Sequence, residues 1–226
     1  MRLNRVHNCE NPFVISVVFE TDVLDEDTVA TIVGIAERTE TEVRTYLPTL
    51  PETVTLRVRD GQEVIPETGE IGISVSPAEI AWVVDSTDPR GVAKIARRQL
   101  RFTLFHELHH QVRGWMQQGG HPKLGLMDAV VSEGLATAFE RDAAGSDPLW
   151  GQYPREVADW VEELRVLADD ADRREWMYLH SDGRRWIGYR AGTFLADQAK
   201  AITGQTAAQL AAVPTSEILD LLIGGA

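Results

Sequence analysis

"RFTLFHELHHQVRG" (residues 101–114) places three histidines and a glutamate within five consecutive positions. Leu104, Phe105, Leu108 and Val112 bracket them at helical spacing, so the stretch reads as a half-buried helix. Each helical residue advances about 100°, which puts His110 roughly 40° from His106 and Glu107 roughly 100° round on the His110 side. His109 falls on the opposite side of His106, roughly 160° from Glu107. His106 and His110 are therefore the pair that can share one ion with Glu107 beside them, and His109 is the bystander. This is the HExxH pattern, in which two neutral imidazoles bind Zn2+ and the glutamate acts on the water that the metal activates.

Working outward, residues 86–100 extend this helix toward its start. Asp88 reads as its N-cap and Pro89 as its first helical residue, and Gly114 reads as its stop. Upstream, β-branched or alternating runs at 12–20, 53–60, 71–76 and 79–85 predict strands, and a helix runs from Asp25 to Pro48. Downstream, helices are expected over 127–145, 153–178, 186–203 and 215–224. The expected architecture is α+β in a single domain. An N-terminal lobe (1–118) carries a small mixed sheet, a helix and the active-site helix at the junction, and a helical lobe (119–226) follows.

Bulk composition narrows the partners. Lys and Arg total 22 against 35 Asp and Glu, a net charge of −13, which argues against nucleic acid or an anionic membrane as the main partner. The single cysteine, Cys9, excludes an internal disulfide framework and a cysteine-built zinc site. The N-terminus has no apolar core of signal-peptide length and no apolar run is long enough to span a bilayer, so a cytoplasmic protein is expected.

A catalytic zinc site needs a third protein ligand and an open position for water. His7, His121 and His180 are the remaining histidines. His121, in the Gly-Pro segment 119–123, would make a three-histidine site, but the tight HExxHxxGxxH spacing is missing. Glu133, in "VVSEGLATAF", is the better candidate because a lone carboxylate in an apolar helix is costly. Glu140, seven residues on, shares its face and is expected to face solvent. A di-iron site would need a second Glu-x-x-His pair beside Glu107 and His110, and no other glutamate has one.

The chain resembles the gluzincins, zincin metallopeptidases with HExxH and a downstream glutamate ligand. "SEGLA" (132–136) resembles the "NEGFA" ligand segment of zinc aminopeptidases. The run from His106 onward, with "HELHH", "VVSEGLATAF" and "WIGYRAGTFLA", is similar to a family of small predicted zinc-dependent proteases. Over residues 1–90 the likeness is weak. The resemblance implies a zincin-like fold and a peptide or protein substrate. It also implies one Zn2+ per chain held by His106, His110 and Glu133, with Glu107 as general base. Tyr189 is the first choice to meet charge on the substrate carbonyl oxygen, with His180 and Tyr178 as alternatives. One departure stands out: thermolysin-like members carry an aspartate four residues after the ligand glutamate, and here that position is Thr137. Asp128 is the candidate replacement. An extended peptide would pair with a sheet edge supplied by "GISVSPAEIAWVVD" (72–85). The rival reading is a zinc-binding regulatory or interaction protein without catalysis. Glu107 argues against it, since structural zinc needs no base and normally takes four protein ligands.

Overall fold

In the computed structural model, which describes residues 5–7, 15–116, 125–167 and 171–224, the β-branched runs of the N-terminal half pair into one mixed sheet. Its strands are β1 (Arg5–His7), β2 (Ser16–Phe19), β3 (Thr55–Asp60), β4 (Glu70–Ser76) and β5 (Glu79–Val84), in the order β1-β2-β3-β5-β4. β2, β3 and β5 run parallel, whereas β1 and β4 lie antiparallel to their neighbours. Pro77 and Ala78 turn the chain straight back from β4 into β5, pairing Ser76 with Glu79, and this leaves β4 at the sheet edge. Leu56, Val58, Ile80 and Trp82 are wholly buried on the inner strands.

Parallel β2 and β3 need a crossover, and helix α1 (Glu26–Tyr46) supplies it. Asp25 caps it by accepting the Thr28 N–H at 2.7 Å. Ile32, Ala36 and Val43 lie on one face and are fully buried.

The approach to the histidine helix differs from expectation. Asp88 does not cap it. Its carboxylate instead accepts the Arg90 N–H and Nε, each at 2.8 Å, and this closes a turn that contains Pro89. A short Asp side chain favours such local bonds over a helix start. Hydrogen bonds from the Arg90 side chain, then its N–H, hold the Asp88 carboxyl at about 2. Gly91, at φ 80°, becomes the cap residue of α2 (Val92–Ile95). A five-residue π-helical stretch (Ala96–Leu100) then leads into α3 (Arg101–Arg113), which Gly114 ends in the left-handed region, φ 72°.

Two compact units divide the chain, Met1–Gly119 and Gly120–Ala226. The second holds α4 (Leu126–Ala144), α5 (Val157–Arg165), α6 (Arg173–Met177), α7 (Ile187–Thr203), α8 (Ala207–Leu210) and α9 (Thr215–Gly224). The helix expected over 153–178 is thus two helices. Asp172 accepts the Arg174 N–H at 2.8 Å and the Glu175 N–H at 3.4 Å, and so starts a new one. α8 was not anticipated, although Thr206 and Gln209 form a capping box around it.

α4 and α7 cross backbone to backbone. A Cβ on Gly134 would sit 2.0 Å from the Gly192 carbonyl carbon, and one on Gly192 would sit 2.0 Å from the Val130 oxygen. Near the end of α4, Arg141 grips Asp197 through two bonds of 2.7 and 3.0 Å. Lys200 bridges Asp142 and Asp197, and the Tyr153 hydroxyl donates to Asp197 at 3.1 Å. Burial alone would raise the Asp197 carboxyl, yet Arg141 and Lys200 together hold it below the usual carboxylate range. No helix among the described residues is long and apolar enough to cross a membrane.

Candidate metal centre

Helix α3 lies along edge strand β4, and the two repeats match. Four helical residues advance about 6 Å, and two strand residues advance about 6.8 Å with their side chains on one face. Glu70, Gly72 and Ser74 of β4 therefore meet Thr103, Glu107 and Gln111 of α3 in step. Thr103 donates to Glu70 Oε2 at 2.9 Å, and the same oxygen accepts Trp82 Nε1 at 2.7 Å. At Gly72 a Cβ would stand 2.5 Å from Thr103 Cγ2, 2.7 Å from Glu107 Cγ and 2.8 Å from Glu107 Oε1, so the absent side chain is what lets Glu107 lie over the strand. The Ser74 hydroxyl reaches Glu107 Oε2 at 2.8 Å and the Glu107 carbonyl at 3.2 Å. Gln111 Nε2 lies 3.2 Å from Ser74 Oγ.

The first unit brings three potential ligands together. His106, Glu107 and His110 each offer an atom within 4.8 Å of the others, and all three are buried. The His106 and His110 rings sit 4.7 Å apart at 80°, as neighbours one turn apart do. His109 is also fully buried, with its ring 6.5 Å from that of His110, but it is not part of the cluster. Two imidazoles and a carboxylate suit a borderline ion such as Zn2+, so the residues fit the metal that the spacing implies.

The remaining candidates belong to the second unit. Glu133 is buried on α4 at 3% exposure, in keeping with an apolar helix surface. Glu140 is buried as well, at 4%, which corrects the expectation that it faces solvent. The acidic "RDAAGSD" that follows it marks the helix end and not this face. Thr137, between the two, is wholly buried and its hydroxyl has no hydrogen-bond partner among the described residues. Asp128 accepts the Gly125 N–H at 3.0 Å, which places its carboxylate at the start of α4 as a capping group. Tyr189 lies in the first turn of α7, half-buried, with its ring 6.0 Å from that of Tyr178. Just before it, Trp186 takes a left-handed φ of 56°, the only such non-glycine among the described residues.

His180 sits in a bridged turn with Nδ1 2.9 Å from Asp182 and Nε2 3.7 Å from Glu175, its ring against Trp176. The Arg184 N–H, then His180 and the Arg184 side chain, hold the Asp182 carboxyl at about 2. These contacts staple the turn. His121 lies outside the described residues.

Sequence reasoning missed Ser74, Gly72 and Gln111. The available signal was the series Glu70, Gly72, Ser74, which puts polar or absent side chains at every second position of a strand that would otherwise present an apolar face.

Comparison with known proteins adds one match. A family model described as "Predicted Zn-dependent protease (DUF2268)" fits residues 26–220. No curated protein matches the chain.

Proposed function

The chain belongs to the predicted Zn-dependent protease family, and from that premise we propose that it is a gluzincin-type metallopeptidase that hydrolyses peptide bonds. The observation that carries this is the buried cluster of His106, Glu107 and His110 on one helix against a sheet edge. In the proposed site His106, His110 and Glu133 hold one zinc. Bound zinc would supply Lewis acidity, which makes water nucleophilic at neutral pH and polarises the scissile carbonyl.

The chain's own groups would do the rest. Glu107 takes a proton from the attacking water and passes it to the departing amine nitrogen. Tyr189 donates its hydroxyl to the carbonyl oxygen as negative charge gathers there. It is preferred to His180, whose ring nitrogens face the carboxylates of Asp182 in its own turn and Glu175 on α6. The substrate is an extended peptide that pairs with β4, an antiparallel strand at the sheet edge beside the base, beyond the point where Ile65 bridges Glu70. An antiparallel edge strand next to the metal helix also supports a zincin-like arrangement.

The proposed ligand set has a direct test. Glu133→Ala should weaken zinc binding strongly, read by competition with a chromophoric chelator, and should remove zinc-dependent cleavage of an unstructured peptide. Wild-type affinity in that variant would remove Glu133 from the ligand set.

A further inference from the structure

We propose that Ser74 is a positioning residue for Glu107, with its hydroxyl aimed by Gln111 so that Oε2 is occupied and Oε1 is the oxygen presented to water. This rests on the proposed role of Glu107 as general base.

The hydrogen-bond chemistry fixes the direction of the chain. Gln111 Nε2 lies 3.5 Å from the Glu79 carbonyl oxygen, which can only accept, so this end of the amide is the nitrogen. The same nitrogen donates to Ser74 Oγ at 3.2 Å. A hydroxyl that accepts from Gln111 has its single proton left for another partner. Glu107 Oε2, at 2.8 Å, is closer than the Glu107 carbonyl at 3.2 Å and is a charged acceptor, so it takes that proton. Ser74 is fully buried and Glu107 nearly so, and no bulk water competes with the bond.

Gly72 completes the seat. Oε1 packs over it, 2.8 Å from where a Cβ would be, so Ser74 grips one oxygen and any side chain at position 72 would push the carboxylate off the strand. Glu107 carries two freely rotating side-chain bonds beyond χ1, and a base that wanders by an ångström loses much of its advantage. The edge strand on which the peptide would pair is thus also the strand that aims the base. Binding of substrate and alignment of Glu107 share one rigid element.

The test uses the full chain with zinc bound. Ser74→Ala should lower kcat about 10–100-fold, with KM and zinc content unchanged. Thermal denaturation of Ser74→Ala, Glu107→Ala and the double variant should be non-additive, the double variant losing little more in Tm than Glu107→Ala alone. Gln111→Leu, which leaves both bonded groups in place but removes the aiming donor, should lower kcat by less than Ser74→Ala. If Ser74→Ala does not fold, this variant carries the test, and a wild-type kcat overturns the proposal. A wild-type kcat in Ser74→Ala, or additive Tm losses, also overturns it. If the wild-type protein with zinc cleaves no peptide, the protease reading is what fails, and the Tm cycle alone decides whether Ser74 seats Glu107.

Discussion

Glu107→Gln is expected to lower kcat for peptide hydrolysis by about 10²–10⁴-fold, the usual contribution of a general base, while zinc stays bound. Glutamine keeps the shape of the side chain and retains an oxygen for the Ser74 hydroxyl, so the packing over Gly72 survives. What it loses is the capacity to take a proton from water. His106 and His110 are untouched, and they are the imidazole donors proposed for the metal. The substitution also separates two roles that the geometry allows, because the Glu107 carboxylate lies within 4.8 Å of the imidazole donors and could itself ligate an ion. Kinetics and metal analysis on one preparation decide between them. Lost activity with zinc retained marks a base, and lost zinc marks a ligand. Activity within a few-fold of wild type assigns the proton transfer to another group.

The second large effect is on stability. Gly192→Ala should cost about 3 kcal/mol or more, the upper range for forcing volume into a filled site, and lower Tm by about 6–12 °C. The new methyl carbon would lie 2.0 Å from the Val130 carbonyl oxygen and 3.0 Å from Gly134 Cα. Both are backbone atoms of α4, so no rotamer change relieves the overlap and the helices must separate. Those helices carry Glu133 and Tyr189, so residual protein should also bind zinc less tightly if Glu133 is a ligand. Gly145→Ala is the control. Its φ of 71° is unfavourable for alanine, but an added Cβ meets none of the described residues within 4 Å, so the cost stays at about 1 kcal/mol. Equal Tm losses in the two variants would mean that the α4–α7 contact is not the tight one described.

Much of this molecule was legible because its signals are local. The strands around 55–60, 70–76 and 79–84, the helix begun by Asp25 and the stop at Gly114 follow from alternation, capping and left-handed glycine preference. The clustering of His106, Glu107 and His110 follows from helical angles alone. Where reading failed, a competing bond decided. Asp88 satisfied Arg90 instead of a helix, and Asp172 opened a second helix inside an unbroken periodic run. Glu140 was misread because a polar sequence neighbourhood was taken for an exposed face. The roles of Gly72, Gly134 and Gly192 needed knowledge of which elements approach one another, and no spacing along the chain carries that. "SEGLA" and "WIGYRAGTF" are the instructive case. Their glutamate and tyrosine drew attention as chemistry, while Gly134 and Gly192 bring α4 and α7 into contact.

Every proposed role above depends on a zinc site built on His106 and His110. Metal analysis of purified protein, dialysed at neutral pH after exposure to zinc, tests it most directly. One tightly held zinc per chain is expected in the wild type and its loss in both His106→Ala and His110→Ala, with His109→Ala retaining it. A wild-type protein that holds no divalent metal, or His106 and His110 variants that hold it as well as the wild type, would rule out this site.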